Sequence, residues 1–375
     1  MNAPTYIFRT FLFALFAMLS VLALNYVIDP YGITGAPRIA NLNQHKVDIN
    51  NHTRLNKKYQ PYVENHNAMV VGNSRVEMGI DPAHRCFLRD DLDVYNLGMP
   101  GASVAMQLSS ALNLMYRQPI ETVFLSVDFI DFISTDPMPP VAKKLMHQQS
   151  GELKYLPSGE VNPDYYAVVF RDYYKSLLSL DALVSTGKTI VFQSSTAADR
   201  ETSGFNPARD MEEAVRVEGA RALFDQKMQN LRTKYEQPWY LRNSAGQLPV
   251  TFEEIDDFLS VAAKKDVKVY LFTHPFHGEY RDLMQSEGLM PLYDDWLTSL
   301  EALVRAREGD GIELWDFSQE SPYIREKVPA AGVRSGPLQW FWEPAHYRRE
   351  LGDLMVDAIM SDSCDSEVRF GRRVL

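Results

Sequence analysis

Ala68-Met69-Val70-Val71-Gly72-Asn73-Ser74-Arg75 decides how the rest of this 375-residue chain is read. Four apolar residues in a row suit a strand covered on both faces, the kind that sits inside a parallel sheet. Glycine then allows a tight turn, and the turn presents a serine just before a helical pattern. In open α/β sheets ligands gather beyond the carboxyl ends of strands, which is where Ser74 falls.

Outward from this segment the same rhythm repeats. Residues 94–97 are a second apolar strand candidate, followed by the turn Gly98-Met99-Pro100-Gly101. Residues 103–117 have helical spacing and 122–127 read as a third strand. Pro137-Met138-Pro139-Pro140 interrupts the pattern. From about 136 to 250 the chain changes character, with helical stretches expected at 173–184 and 209–235. The α/β rhythm returns with a helix at 252–265, where Thr251 and Glu254 have capping-box spacing. A strand at 267–273, a helix at 291–307, a strand at 312–317 and a final amphipathic helix at 344–360 follow. The expected fold class is α/β: a mostly parallel sheet flanked by helices in three layers, with a largely helical insertion and an N-terminal transmembrane helix. The expected divisions are an anchor (1–30), a linker or collar (31–64), an α/β domain (65–135 and 251–360), a helical insertion or cap (136–250) and a fraying tail (361–375).

Composition narrows the function classes. With 45% hydrophobic and 23% charged residues the chain is an ordinary globular protein able to build a core. A net charge of −11 argues against nucleic acid as a partner, because phosphate binding needs a basic excess. Residues 10–28 carry no charge. At about 1.5 Å per residue they reach roughly 28 Å, close to the ~30 Å of a bilayer core. Arg9 before this run and Asp29 after it favour the bulk of the chain outside the cytoplasm, and the length of the run with no small-x-small site after it favours an uncleaved anchor over the rival cleaved signal peptide. Cys86 and Cys364, the two cysteines, have neither metal-site nor redox spacing. Two free thiols and one disulfide both remain open.

Near the other end, Trp342-Glu343-Pro344-Ala345-His346-Tyr347 places an acid three residues before a histidine. A serine hydroxyl needs a base to become a nucleophile, and the base needs an anion to orient it. Ser74, His346 and Glu343 are therefore the candidate catalytic residues. Oxyanion donors would come from the Ser74 and Gly101 N–H groups and the Asn73 side chain. Asp128 and His274 follow later strands and are expected to line the same edge. His274-Pro275-Phe276-His277 looks like a metal pair, but the proline opposes the helical spacing a zinc site would use, so no metal is assigned. Tyr323, Trp340, Phe341 and Trp342 would suit stacking on sugar rings or plain core packing.

The order of these segments resembles the SGNH-type (GDSL-like) serine esterase and acyltransferase superfamily. Gly72-Asn73-Ser74 looks like its first block, Asn96 to Gly101 its second, and Glu343-Pro344-Ala345-His346 its last, with Glu replacing Asp. The third block departs: Leu125-Ser126-Val127-Asp128 lacks the asparagine that donates to the oxyanion in that family. With its single anchor and helical insertion the chain also resembles membrane-anchored O-acetyltransferase-type proteins of bacterial exopolysaccharide modification. That resemblance implies an inner-membrane protein with a periplasmic domain, needing no cofactor. It would hydrolyse or transfer an acyl ester on a polysaccharide or acyl-sugar, beside other envelope biosynthesis proteins. The alternative is a catalytically inactive, SGNH-like glycan-binding or scaffold protein.

Overall fold

A computed structural model describes residues 3–136, 151–194, 200–334, 336–364 and 370–375. The proline run at 137–140 lies outside them. Among the described residues the helices are α1 (Ala3–Ile28), α2 (Thr53–Tyr59), α3 (Ser74–Gly79), α4 (Arg85–Arg89), α5 (Val104–Arg117), α6 (Tyr165–Leu178), α7 (Leu180–Val191), α8 (Arg209–Glu218), α9 (Ala220–Tyr235), α10 (Val250–Lys264), α11 (Gly278–Ser286), α12 (Met290–Arg305), α13 (Arg349–Ile359) and α14 (Ser361–Cys364). The strands are β1 (Ala68–Val71), β2 (Val94–Asn96), β3 (Thr122–Val127), β4 (Lys268–Thr273), β5 (Ile312–Asp316), β6 (Phe341–Glu343), β7 (His346–Tyr347) and β8 (Arg372–Arg373).

The main sheet has the order β2-β1-β3-β4-β5-β8 and is parallel except for β8. Alternate residues of each central strand face opposite layers, as a pleat requires. Met69, Val71, Val123, Leu125, Val269 and Leu271 pack with α5, α10 and α12. Ala68, Val70, Phe124, Tyr270 and Phe272 pack with α4, α9 and α13. Helices on both faces explain why β1 and β3 are buried along their whole length. The strand order reverses between β1 and β3, the topological switch point where such sheets bind ligands, and Ser74 leaves β1 there.

One N-terminal helix, α1, is long and apolar enough to cross a membrane: its mean hydropathy reaches 2.3, and only 11% of its apolar window is buried. Residues 29–64 form a collar, without helix or strand up to Asp48 and carrying α2 beyond it, held in place by side-chain bonds. Lys46 Nζ donates to the Ile28 and Asp29 carbonyls, the former at 3.0 Å, and Asn56 Nδ2 caps the Gly32 carbonyl at 2.8 Å.

Several sequence expectations need correction. The helix expected at 173–184 is two helices, broken at Ser179, whose hydroxyl accepts from the Ala182 N–H. That expected at 209–235 breaks at Gly219, where φ is +88°. Thr251 caps nothing, because α10 has already begun at Val250 behind Pro249. The segment 344–360 is not one helix. Pro344 turns β6 into β7, and α13 starts only at Arg349. The tail's described parts are ordered rather than frayed: 361–364 carry α14, β8 pairs antiparallel with β5, and Val374 donates to the Leu314 carbonyl at 2.7 Å. Cys86 and Cys364 form a disulfide that ties α4 to α14.

Candidate active site

Gly72 shapes the turn that presents Ser74. A Cβ there would collide with Ser126 Oγ on β3, so only glycine lets β1 and β3 stay this close at their ends. Asn73 caps α3, its Oδ1 accepting from the Arg75 N–H at 3.0 Å. Ser74 is the first helical residue, half-buried at the sheet edge. Two further glycines bring α3 against the C-terminal segment. A Cβ on Gly79 would strike the Tyr347 ring, and one on Gly352 would strike the Gly79 carbonyl.

That contact delivers His346 to the serine. Ser74 Oγ lies 2.8 Å from His346 Nε2, across 272 positions of sequence. His346 Nδ1 faces Glu343 Oε1 within hydrogen-bond contact. A carboxylate can only accept, so in the neutral ring Nδ1 carries the proton and Nε2 is left to accept from the Ser74 hydroxyl. Glu343 is 5% exposed. Burial pushes its carboxyl up, but the His346 ring, by charge and hydrogen bond, Lys227 and the Ala345 N–H together outweigh that and hold it at about 2. Glu343 Oε2 accepts from the Ala345 N–H at 3.1 Å, and Lys227 Nζ stands 3.6 Å from Oε1. Pro344 thus closes a turn compact enough for Glu343 to reach the ring of His346 three residues on.

The other expected site residues divide. Asp128 is buried and forms an ion pair with Arg75, while Asn73 Nδ2 donates to its Oδ2 at 2.9 Å. Asp128 is therefore an acceptor that fixes its neighbours, not an oxyanion donor, and it occupies one of the two Asn73 Nδ2–H groups. Gly101 is exposed at φ +63°, with its carbonyl accepting from Arg54 Nη2 at 3.3 Å. Its loop meets the serine turn instead through Met99, whose N–H donates to the Gly72 carbonyl at 2.9 Å. His274 is buried behind the site. Its Nδ1 lies 3.5 Å from the Tyr347 hydroxyl, and burial first, then Arg75 and His346, push its pKa well down, so it is a neutral wall residue. His277 does not join it as a metal pair. Its Nδ1 accepts from the Glu279 N–H and its Nε2 meets the Glu326 carbonyl at 2.8 Å, capping α11. Phe341 and Trp342 are buried, and Tyr323 packs edge-on to Trp340 at 5.2 Å, so these rings serve the core around the hairpin.

Sequence reasoning missed two residues. Arg75 joins three segments: it pairs with Asp128 beyond β3, donates through Nε to the Ala345 carbonyl at 2.7 Å, and lies over the Phe276 ring at 4.9 Å. Its position beside Ser74 was the available signal. Lys227 reaches Glu343 from α9, and nothing in that polar helical stretch marked it out. A cavity of about 300 Å³ opens onto His346 and Glu343 between α3, α8 and α9, lined by Met78, Met211, Leu223, Gln226 and Asn230 among others. Two helices of the 136–250 segment, α8 and α9, therefore wall the cavity at His346 and Glu343.

No family model matches this chain, and no curated protein does.

Proposed function

We propose that this is a membrane-anchored serine acyl-transfer enzyme working outside the cytoplasm, of the SGNH-like kind its motifs resemble. The observation that carries the proposal is the hydrogen-bonded series Ser74–His346–Glu343 at the switch point of the sheet. Ser74 Oγ attacks the carbonyl carbon of an ester while His346 Nε2 takes its proton. The carbon–oxygen bond to the leaving alcohol breaks, and His346 returns the proton to that alcohol. Water or a glycan hydroxyl, deprotonated by His346, then attacks the acyl-serine carbonyl, the acyl–Oγ bond breaks, and His346 returns the proton to Ser74 Oγ. Ionised Glu343 keeps the ring oriented and balances the imidazolium. The Ser74 N–H and the remaining Asn73 Nδ2–H are the nearest candidates to hold the oxyanion.

The substrate assigned is an acyl ester on a sugar or polysaccharide. Gln226, Asn230 and Lys227 give the cavity donors and acceptors suited to hydroxyl groups, set among methionine and leucine side chains. The Cys86–Cys364 disulfide supports a location in an oxidising compartment, because such bonds are rare in the cytosol. Arg9 before the apolar helix and Asp29 after it support an outward-facing domain, and the proposed location is the periplasmic side of an inner membrane.

The test is labelling by a fluorophosphonate probe, which needs an activated serine and no knowledge of the natural ester. The full-length protein in detergent is expected to label at Ser74, and Ser74→Ala to abolish the label. A second reading, glycan binding or scaffolding without catalysis, draws on the Asp128–Arg75 pair standing where an oxyanion donor is expected. Absence of labelling in the intact protein, with no turnover of acetyl esters, would leave that reading in place.

A further inference from the structure

The hairpin α6–α7 is built inside out. Phe170, Tyr174, Leu180, Val184, Val191 and Phe192 point outward, with Phe170, Leu180 and Val191 exposed by 74, 80 and 71%. Its small and polar residues Ser176, Ala182, Ser185, Thr186 and Thr189 are buried instead. A helix pair in water does the reverse. Small residues between helices and hydroxyls bonding across them mark helices packed in lipid, where large apolar side chains have nothing to gain by turning inward.

The buried face packs on α1 and, through Ala182 and Ser185, on Tyr31, Ile33 and Tyr59 of the collar. Thr186 Oγ1 donates to Asn25 Oδ1 at 2.7 Å, and Asn25 Nδ2 donates to the Leu177 carbonyl at 2.9 Å. Next to this, the Tyr31 hydroxyl lies 3.3 Å from Ser185 Oγ. The depth of this contact follows from the length of α1. Its uncharged run at 10–28 extends about 28 Å and must use almost all of itself to cross a core of ~30 Å. Asn25 then sits roughly 4–5 Å inside the hydrocarbon boundary at its outer end. The backbone of α6 and the side chain of α7 that bond to Asn25 share that depth.

We infer that the α6–α7 hairpin is a second membrane-contact element, lying in the outer interfacial layer of the lipid bilayer against α1. This rests on the anchoring part of the proposed function. The charges of the hairpin agree with such a placement. Arg171 and Asp172 turn to Glu152 and Lys58, and Lys188 turns to Asp48 in the collar. Lys175 and Asp181 remain exposed, which keeps the hairpin at the interface rather than across the bilayer. The soluble domain is thereby held at a fixed height and tilt instead of swinging from a single helix.

The test places an environment-sensitive NBD label on the full-length protein, native disulfide intact, at Phe170→Cys, Val184→Cys or Val191→Cys. Phe13→Cys in α1 is the lipid reference and Ala245→Cys, in an exposed turn, the aqueous one. The proteins are reconstituted in phosphatidylcholine–phosphatidylglycerol vesicles with or without brominated acyl chains. Blue-shifted emission and bromolipid quenching at the three hairpin positions, as at position 13 and unlike position 245, is the expected result. Quenching at 13 with water-like, unquenched emission along the hairpin overturns the inference and leaves the anchor standing. Blue-shifted emission without quenching means that protein covers this face, and also overturns it. No quenching at 13 removes the anchoring itself and the inference with it.

Discussion

Replacing Glu343 by Gln separates what the buried charge does for stability from what it does for the His346 ring. The carboxyl is buried and held at about 2 against an ordinary 4.5. At ~1.36 kcal/mol per pH unit, its ionised form is tied to the fold by about 3 kcal/mol. The folded chain binds this proton more weakly than the unfolded chain does. The contribution is therefore complete above pH 4.5, declines as the pH falls, and is gone below about 2. Glu343→Gln keeps the shape and removes the charge, so it leaves Lys227 facing a neutral amide and lets the His346 ring choose either tautomer. Urea unfolding of the full-length protein in detergent, followed by tryptophan fluorescence at several values between pH 7.5 and pH 2.5, reads the first effect. The variant is expected to be about 2–3 kcal/mol less stable at neutral pH, with the gap closing in acid. Fluorophosphonate labelling reads the second, with an expected fall of about 10³–10⁴-fold in rate. Equal stability of the two proteins at neutral pH together with parallel acid curves would refute the electrostatic reasoning. An unchanged labelling rate would refute the orienting role.

Ser74→Ala should abolish labelling while changing stability by less than about 1 kcal/mol, since it removes one half-buried hydrogen bond; a large loss of stability would show a structural serine. Gly72→Ala should destabilise by about 1–3 kcal/mol through its clash with Ser126 Oγ, and Ser126→Ala in the same chain should recover part of it; additive denaturation midpoints would contradict that contact. Arg75→Met leaves Asp128 buried without its cation, for a loss of about 3–5 kcal/mol by urea titration, and Arg75→Lys should rescue little because a lysine cannot serve Asp128 and the Ala345 carbonyl together. Replacing Cys86 and Cys364 by serine should lower stability by about 2–5 kcal/mol in thermal unfolding, and an unchanged transition would argue against a bond in solution.

The central strands were readable because burial on both faces leaves uninterrupted apolar runs, as in Ala68-Met69-Val70-Val71 and Thr122 to Val127. The pairing of Ser74 with His346 was expected from the need of a serine for a base and an orienting acid, and from the order of the segments along the chain. The hairpin carrying His346 was not. A strand of two residues has no periodicity, and the apolar spacing of α13 ran back through it. Strand β8 is two arginines, a pair no propensity argument would place in a sheet. The Arg75 guanidinium was not weighed, and its pairing with Asp128 turns that carboxylate into an anchor point for Asn73. The helix breaks at Ser179 and Gly219 were visible as residue types but were overridden by the apolar spacing around them.

The Cys86–Cys364 crosslink spans 278 positions and encloses His346 but not Ser74, which lies just upstream of it. A single proteolytic nick at the exposed turn 243–246 would yield two polypeptides, one carrying the serine and the other the histidine. They would stay one covalent molecule until a reductant arrived, migrating as an intact species on a non-reducing gel and as two bands after thiol treatment. Clipping alone would then leave Ser74 and His346 in the same particle, and durability toward proteases would depend on redox conditions as much as on the peptide chain.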